Sequence, residues 1–195
     1  NRRMDSLEKV KFPLNIPNQL TISRFVLAII IMFCLTINTS SSYIIAFILF
    51  IIAAITDALD GILARKVFGC TTFGKLMDPL ADKVLLTIVF ISLVKLSSLD
   101  AWMVSLILAR ELMVTGLRLI LMEKSVVLSA DKLGKLKTVI QMIAALLFLA
   151  GLCWPRIMWL PSPNSILAYY IGLTVVVITL CSGISYFYSY RKYIV

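Results

Sequence analysis

The 195-residue sequence contains no histidine. That excludes a Ser-His-Asp triad, a histidine kinase and any His-ligated zinc or haem. Cysteine is sparse: Cys34, Cys70, Cys153 and Cys181 are scattered with no CxxC pair. Neither a metal knot nor a disulfide framework is expected, and the four thiols read as small buried hydrophobes. Charge is also scarce, with Asp, Glu, Lys and Arg making up 15% of the chain, against about a quarter in a soluble domain. What takes its place is apolar: 61% of residues are hydrophobic and the mean hydropathy is +0.98. One core cannot bury that much apolar surface in water, so the surplus must face lipid. At about 20 residues per span the length allows six membrane helices and leaves no room for a soluble domain. The expected architecture is therefore an all-α integral membrane protein, one domain over residues 1–195 with a juxtamembrane segment at 1–17. Acids are scarcer than bases, 10 against 19, which gives a net charge of +9. In a membrane protein that balance points to the anionic lipid surface. Basic runs interleaved with aromatics are missing, so no nucleic-acid partner is expected.

The first 14 residues, NRRMDSLEKVKFPL, are basic, with apolar residues at helical spacing, and suit an amphipathic segment lying on the bilayer. No small-residue cleavage site follows the next apolar stretch, so a secretory signal is not expected. Hydropathy predicts six spans, at about 20–37, 43–66, 74–94, 101–122, 133–152 and 165–188. The 153–164 segment holds Pro155, Pro161 and Pro163 and reads as a loop. Orientation follows from the loops. One side carries only Lys95 and Arg156, whereas the other collects thirteen bases, among them Arg2, Arg3, Arg65, Lys75, Lys124, Lys135 and Arg191. The positive-inside rule puts both termini and the loops near 66–75 and 123–135 in the cytoplasm.

Charges inside the spans carry the chemistry, because each ionised side chain at membrane depth costs at least ~2.5–3.5 kcal/mol and needs a partner or a function. Asp57, Asp60, Asp78 and Asp82 fall within 26 residues. The first pair is spaced i,i+3 and the second i,i+4, so on helices each pair shares a face. Four such carboxylates brought close together cannot all stay ionised without cations, and Mg²⁺ or Mn²⁺, two ions, would return the local charge to zero. The structural alternative pairs them with Arg65, Lys66, Lys75 and Lys83. Asp78-Pro79 also has the form of a helix start. Gly61 and Gly74 stand beside the aspartates, where a nucleotide approaching the backbone or close helix packing would each explain a glycine.

The whole run reads Asp57-x2-Asp60-Gly61-x2-Ala64-Arg65-x8-Gly74-x3-Asp78-x3-Asp82. It resembles, at every fixed position, the signature of the CDP-alcohol phosphotransferases, an integral-membrane family with six helices. The resemblance implies displacement of CMP from a CDP-linked lipid by an alcohol at a dinuclear metal site on the cytoplasmic surface. By the same resemblance Asp57, Asp60, Asp78 and Asp82 are metal ligands, Asp82 is also the general base, and Gly61, Arg65 and Gly74 contact CDP. Asn18 and Thr21, in a Pro-Asn-x-Leu-Thr-x-x-Arg stretch ending at Arg24, resemble the family's nucleotide-side segment, although a polar helix cap would explain both equally.

For the acceptor, the fourth span holds Ala109-Arg110-Glu111 and Thr115-Gly116-Leu117-Arg118, and Lys135 and Lys137 follow in Gly-Lys-Leu-Lys-Thr. Arg110 and Arg118, eight apart and read as sharing a face, would with Lys135 and Lys137 suit an acceptor that carries a phosphate. A pair with Glu111 is the structural alternative for Arg110, and ordinary positive-inside placement is the alternative for the lysines. These stretches resemble the branch of the family that uses CDP-diacylglycerol and sn-glycerol 3-phosphate. The resemblance further implies a homodimer in a bacterial cytoplasmic membrane. Other branches, which make cardiolipin or phosphatidylinositol phosphate, are the nearest alternatives. A cation-coupled transporter is the alternative of a different class, disfavoured because the acids crowd at one membrane face and no inverted repeat is visible.

Overall fold

A computed structural model describes residues 16–66, 72–123 and 132–191, with side chains described for 23–56, 83–121 and 133–191. The amphipathic segment expected at 1–14 lies outside the described residues, as do the centres of both basic loops and Cys70. Among the described residues the chain forms six α-helices: α1 (Ile16–Ile37), α2 (Ser40–Lys66), α3 (Thr72–Lys95), α4 (Ala101–Glu123), α5 (Lys132–Cys153) and α6 (Ile166–Tyr190). Each coincides with one of the six apolar stretches to within a few residues. Two, Leu133–Cys153 and Ile166–Tyr190, are long and apolar enough to cross a membrane on length and composition alone.

Two helix starts decide readings that the sequence left open. α1 begins at Ile16, four residues earlier than expected, with Pro17 in its first turn, where a missing N–H costs nothing. Asn18 and Thr21 therefore lie inside the helix, which removes the capping explanation for them. α3 begins at Thr72, so Asp78-Pro79 is interior helix rather than a start. A proline there cannot donate to the carbonyl four residues earlier, and the turn before Asp78 loses one backbone bond.

The helices pack in an order that differs from their order in the chain. α1 lies against α2 and α3, α2 against α5, and α6 against both α4 and α5, with α3 touching α4 and α5. Phe50, Phe90, Phe148, Ile31, Leu93 and Met103 fill the centre and are fully buried. The outside is apolar too, with Leu112, Ile166 and Ile184 at least 70% exposed. A surface of that kind belongs to a membrane protein, since in water it would drive association. Trp102, Trp154 and Trp159, all exposed, cluster near one end of the bundle, as an interfacial aromatic belt requires.

That end carries the three short connections. Ser97 closes α3 with a left-handed backbone (φ 56°); Ser98 N–H bonds the Leu93 carbonyl at 2.9 Å and Ser97 N–H the Val94 carbonyl at 3.0 Å. The two bonds form the Schellman arrangement that satisfies a helix's last carbonyls. Asn164, also left-handed, donates its N–H to Ser97 O at 2.9 Å and so ties the 154–165 link to the 96–100 link. Gly151 lets the link lie on α5, because a Cβ there would sit 2.1 Å from the Pro161 carbonyl oxygen. Ser165 caps α6 by accepting from Ala168 N–H at 3.1 Å. Asp57, Asp60, Asp78 and Asp82 lie in the halves of α2 and α3 remote from this end.

Candidate active site

Four of the described charged groups, Lys83, Arg110, Glu111 and Lys137, converge between α3, α4 and α5. Glu111 of α4 is their hub. Its carboxylate accepts from Lys137 Nζ of α5, lies 3.8 Å from Lys83 Nζ of α3 and 3.4 Å from Arg110 Nη1. Lys83 also donates to Thr115 Oγ1, while the Thr115 hydroxyl donates to the Glu111 carbonyl at 2.7 Å. Glu111, Arg110 and Lys137 are 12%, 8% and 7% exposed at their side chains. Ion pairs this deep are held by geometry as much as by charge, because desolvation offsets most of their Coulombic gain.

Arg110 turns to the other side of α4. Its Nη2 donates to Ser182 Oγ of α6 at 2.7 Å, and its stem lies over Gly183, where a Cβ would come within 2.9 Å of Arg110 Cγ. Its Nε is buried without a hydrogen-bond partner, as is the hydroxyl of Tyr186, one turn beyond Ser182. A further turn towards the links, Gln141 Nε2 donates to Thr179 Oγ1 at 3.2 Å and continues the polar seam between α5 and α6.

The structure brings Arg110 and Lys137 together on Glu111, so for Arg110 the pair with Glu111 exists and a bond to α6 is added. Arg118 and Lys135 are exposed, unlike that buried cluster. Arg110 and Arg118 do not share a face. Eight residues at 100° each leave them about 80° apart, enough for one to bury against α6 while the other stays open. Arg118 instead shares a line with Glu111, seven residues away. Lys83, Thr115 and Ser182 were not among the acceptor-site candidates: Thr115 and Ser182 are marked only as polar interruptions in apolar runs, and Lys83 entered only as a partner for the aspartates.

The aspartates sit on helical backbone as their spacing requires, Asp57 and Asp60 in α2 and Asp78 and Asp82 in α3. Their side chains, with those of Asn18, Thr21, Gly61, Arg65 and Gly74, lie outside the described ones. Among the described residues no group of three or more His, Cys, Asp or Glu could hold a metal ion. The donor set of the aspartates does fit one, since two one-turn pairs of carboxylates offer only hard oxygen ligands.

The family model for CDP-alcohol phosphatidyltransferases matches residues 14–181. A Rickettsia felis protein named CDP-diacylglycerol–glycerol-3-phosphate 3-phosphatidyltransferase is 37% identical over 179 residues, covering 92% of this chain and 97% of that protein. A Rickettsia bellii protein of the same name is 37% identical over 184 residues, covering 94% and 99%. The Bacillus subtilis protein of that name is 43% identical over 142 residues, covering 67% and 74%. The match covers α1 to α5 and more than half of α6, and the chain belongs to the CDP-alcohol phosphatidyltransferase family.

Proposed function

We propose that this chain is a phosphatidylglycerophosphate synthase: it transfers the phosphatidyl group of CDP-diacylglycerol to sn-glycerol 3-phosphate and releases CMP. The observation that carries the reading is its similarity, over more than nine-tenths of its length, to relatives named for that reaction. The cation-rich cluster supports the acceptor. Lys83, Arg110 and Lys137 gather around Glu111 as a set of cationic donors, which suits an acceptor phosphate and would be idle against an uncharged alcohol.

In the reaction the free primary hydroxyl of glycerol 3-phosphate forms a new bond to the phosphatidyl phosphorus as the bond from that phosphorus to the CMP oxygen breaks. Asp82 takes the hydroxyl proton. Asp57, Asp60, Asp78 and Asp82 would hold two Mg²⁺ or Mn²⁺ ions, which would supply charge stabilisation for an in-line displacement. Gly61, Arg65 and Gly74, with Asn18 and Thr21, hold the CDP moiety. Arg110, Arg118, Lys135 and Lys137 receive the acceptor phosphate, the first and last from inside the bundle and the exposed pair from its mouth. All six helices span a bacterial cytoplasmic membrane as one domain, with both termini and the site on the cytoplasmic side. The acyl chains of the donor stay in the bilayer, and the protein works as a homodimer.

The test is CMP release by detergent-solubilised protein given CDP-diacylglycerol and Mg²⁺, with and without glycerol 3-phosphate. Release that needs both is the expected result. Release supported instead by inositol phosphate or phosphatidylglycerol would keep the mechanism and overturn the acceptor.

A further inference from the structure

We propose that Glu111 is a positioning residue for the acceptor: it holds the cationic groups of three helices in the one arrangement that receives the phosphate. The inference rests on the glycerol 3-phosphate reading above. One carboxylate accepts from Lys137 of α5, faces Lys83 of α3 at 3.8 Å and lies 3.4 Å from Arg110 on its own helix. α4 packs on α6 and α5 on α2 and α6, and this ion pair bridges α4 and α5 across the site.

The chemistry of the partners explains why such an anchor is needed. A lysine carries a compact charge on a flexible four-carbon stem, so nothing in its own geometry sets where the ammonium rests. Arg110 has a second anchor in Ser182, whereas Lys137 has Glu111. Arg110 and Lys137, 8% and 7% exposed, with the half-buried Lys83 beside them, would repel one another without an anion between them. Glu111 stands between them, so it sets where Lys137 and Arg110 rest relative to Lys83. Glu111 touches neither the reacting oxygen nor the phosphorus. Its effect reaches the substrate only through Lys137, Lys83 and Arg110.

The experiment compares Glu111→Gln, Lys137→Met and the double variant, measuring kcat and the KM of each substrate in the CMP-release assay with Mg²⁺. Glutamine keeps an oxygen for Lys137 and removes the charge. The expected result is a KM for glycerol 3-phosphate raised about tenfold or more in each single variant, with the KM for CDP-diacylglycerol within about twofold of wild type. The double variant should cost no more than the worse single one, because residues that act through one another are non-additive. Its neutral pair also removes the buried charge imbalance of the single variants. Should Glu111→Gln fail to fold, Glu111→Asp, which keeps the charge and withdraws it by one methylene, carries the test, with the same selective KM rise expected and an unchanged KM overturning the proposal. Additive losses, or a fall in kcat with both KM values unchanged, overturn it. Wild-type CMP release that ignores glycerol 3-phosphate overturns the acceptor reading and this proposal with it.

Discussion

Arg110 is buried in α4, beside Glu111 and bonded through Ser182 to α6, over a glycine that leaves room for its stem. Gly183→Ala places a methyl carbon 2.9 Å from Arg110 Cγ and 3.2 Å from its Nε. The arginine is the flexible partner and has to move. We expect a KM for glycerol 3-phosphate raised about tenfold, equivalent to ~1.4 kcal/mol, with the protein still folded by thermal unfolding. Arg118, exposed on the Glu111 line of α4, should behave as an entry contact. Arg118→Ala should raise the KM for glycerol 3-phosphate far more than that for CDP-diacylglycerol, and equal effects in the kinetics would remove it from the acceptor site. Asp82→Asn keeps a ligand oxygen but cannot take a proton. Turnover should fall by at least ~100-fold, the usual contribution of a general base, while CDP-diacylglycerol binding partly survives in an equilibrium assay.

At the scale of the element, the links decide how the helices meet. Gly151 allows the Pro161 carbonyl to press onto α5, and the bond from Asn164 N–H to Ser97 O joins the α5–α6 link to the end of α3. Gly151→Val has no room at that backbone contact, so the link must lift. Overpacking of this kind costs roughly 1–3 kcal/mol, and the melting temperature in detergent should drop while both KM values hold, because the site lies in the other half of the bundle. The helix extents were legible from hydropathy, and the loop at 153–164 from its three prolines. One local signal misled: Asp78-Pro79 has the form of a start when read alone, yet α3 begins before it, at Thr72, while Pro17 falls in the first turn of α1. A proline in the first turn loses no bond, and the one in α3 loses a single bond that the rest of a 24-residue helix outweighs.

For the whole molecule, the apolar exterior and the tryptophans near one end define how the bundle sits in lipid. In the sequence, thirteen bases fall at the termini and around the loops near 66–75 and 123–135, which alternate with the three short links along the chain. Transferring those charges across a bilayer is costly, so the end with the links should face outward. In a variant whose four cysteines are replaced, Met158→Cys should react with a membrane-impermeant maleimide on intact cells, and Lys135→Cys only after permeabilisation. The reverse pattern would invert the topology and move the site to the outer face.

The amino-acid sequence by itself determined the lipid-facing class, the number and extent of the helices, and the carboxylate signature of Asp57, Asp60, Asp78 and Asp82. Those properties are set by composition and by spacing along one chain, which needs no partner to be read. Only the tertiary structure decided which cations meet. Helical periodicity gives an angle about a helix's own axis and says nothing of what stands opposite. Arg110 and Arg118 therefore looked alike in sequence, and the packing of α6 on α4 buried the first while the second stayed exposed. Glu111 became the hub for the same reason: its three cations come from positions 83, 110 and 137, on three helices that only folding brings to one carboxylate.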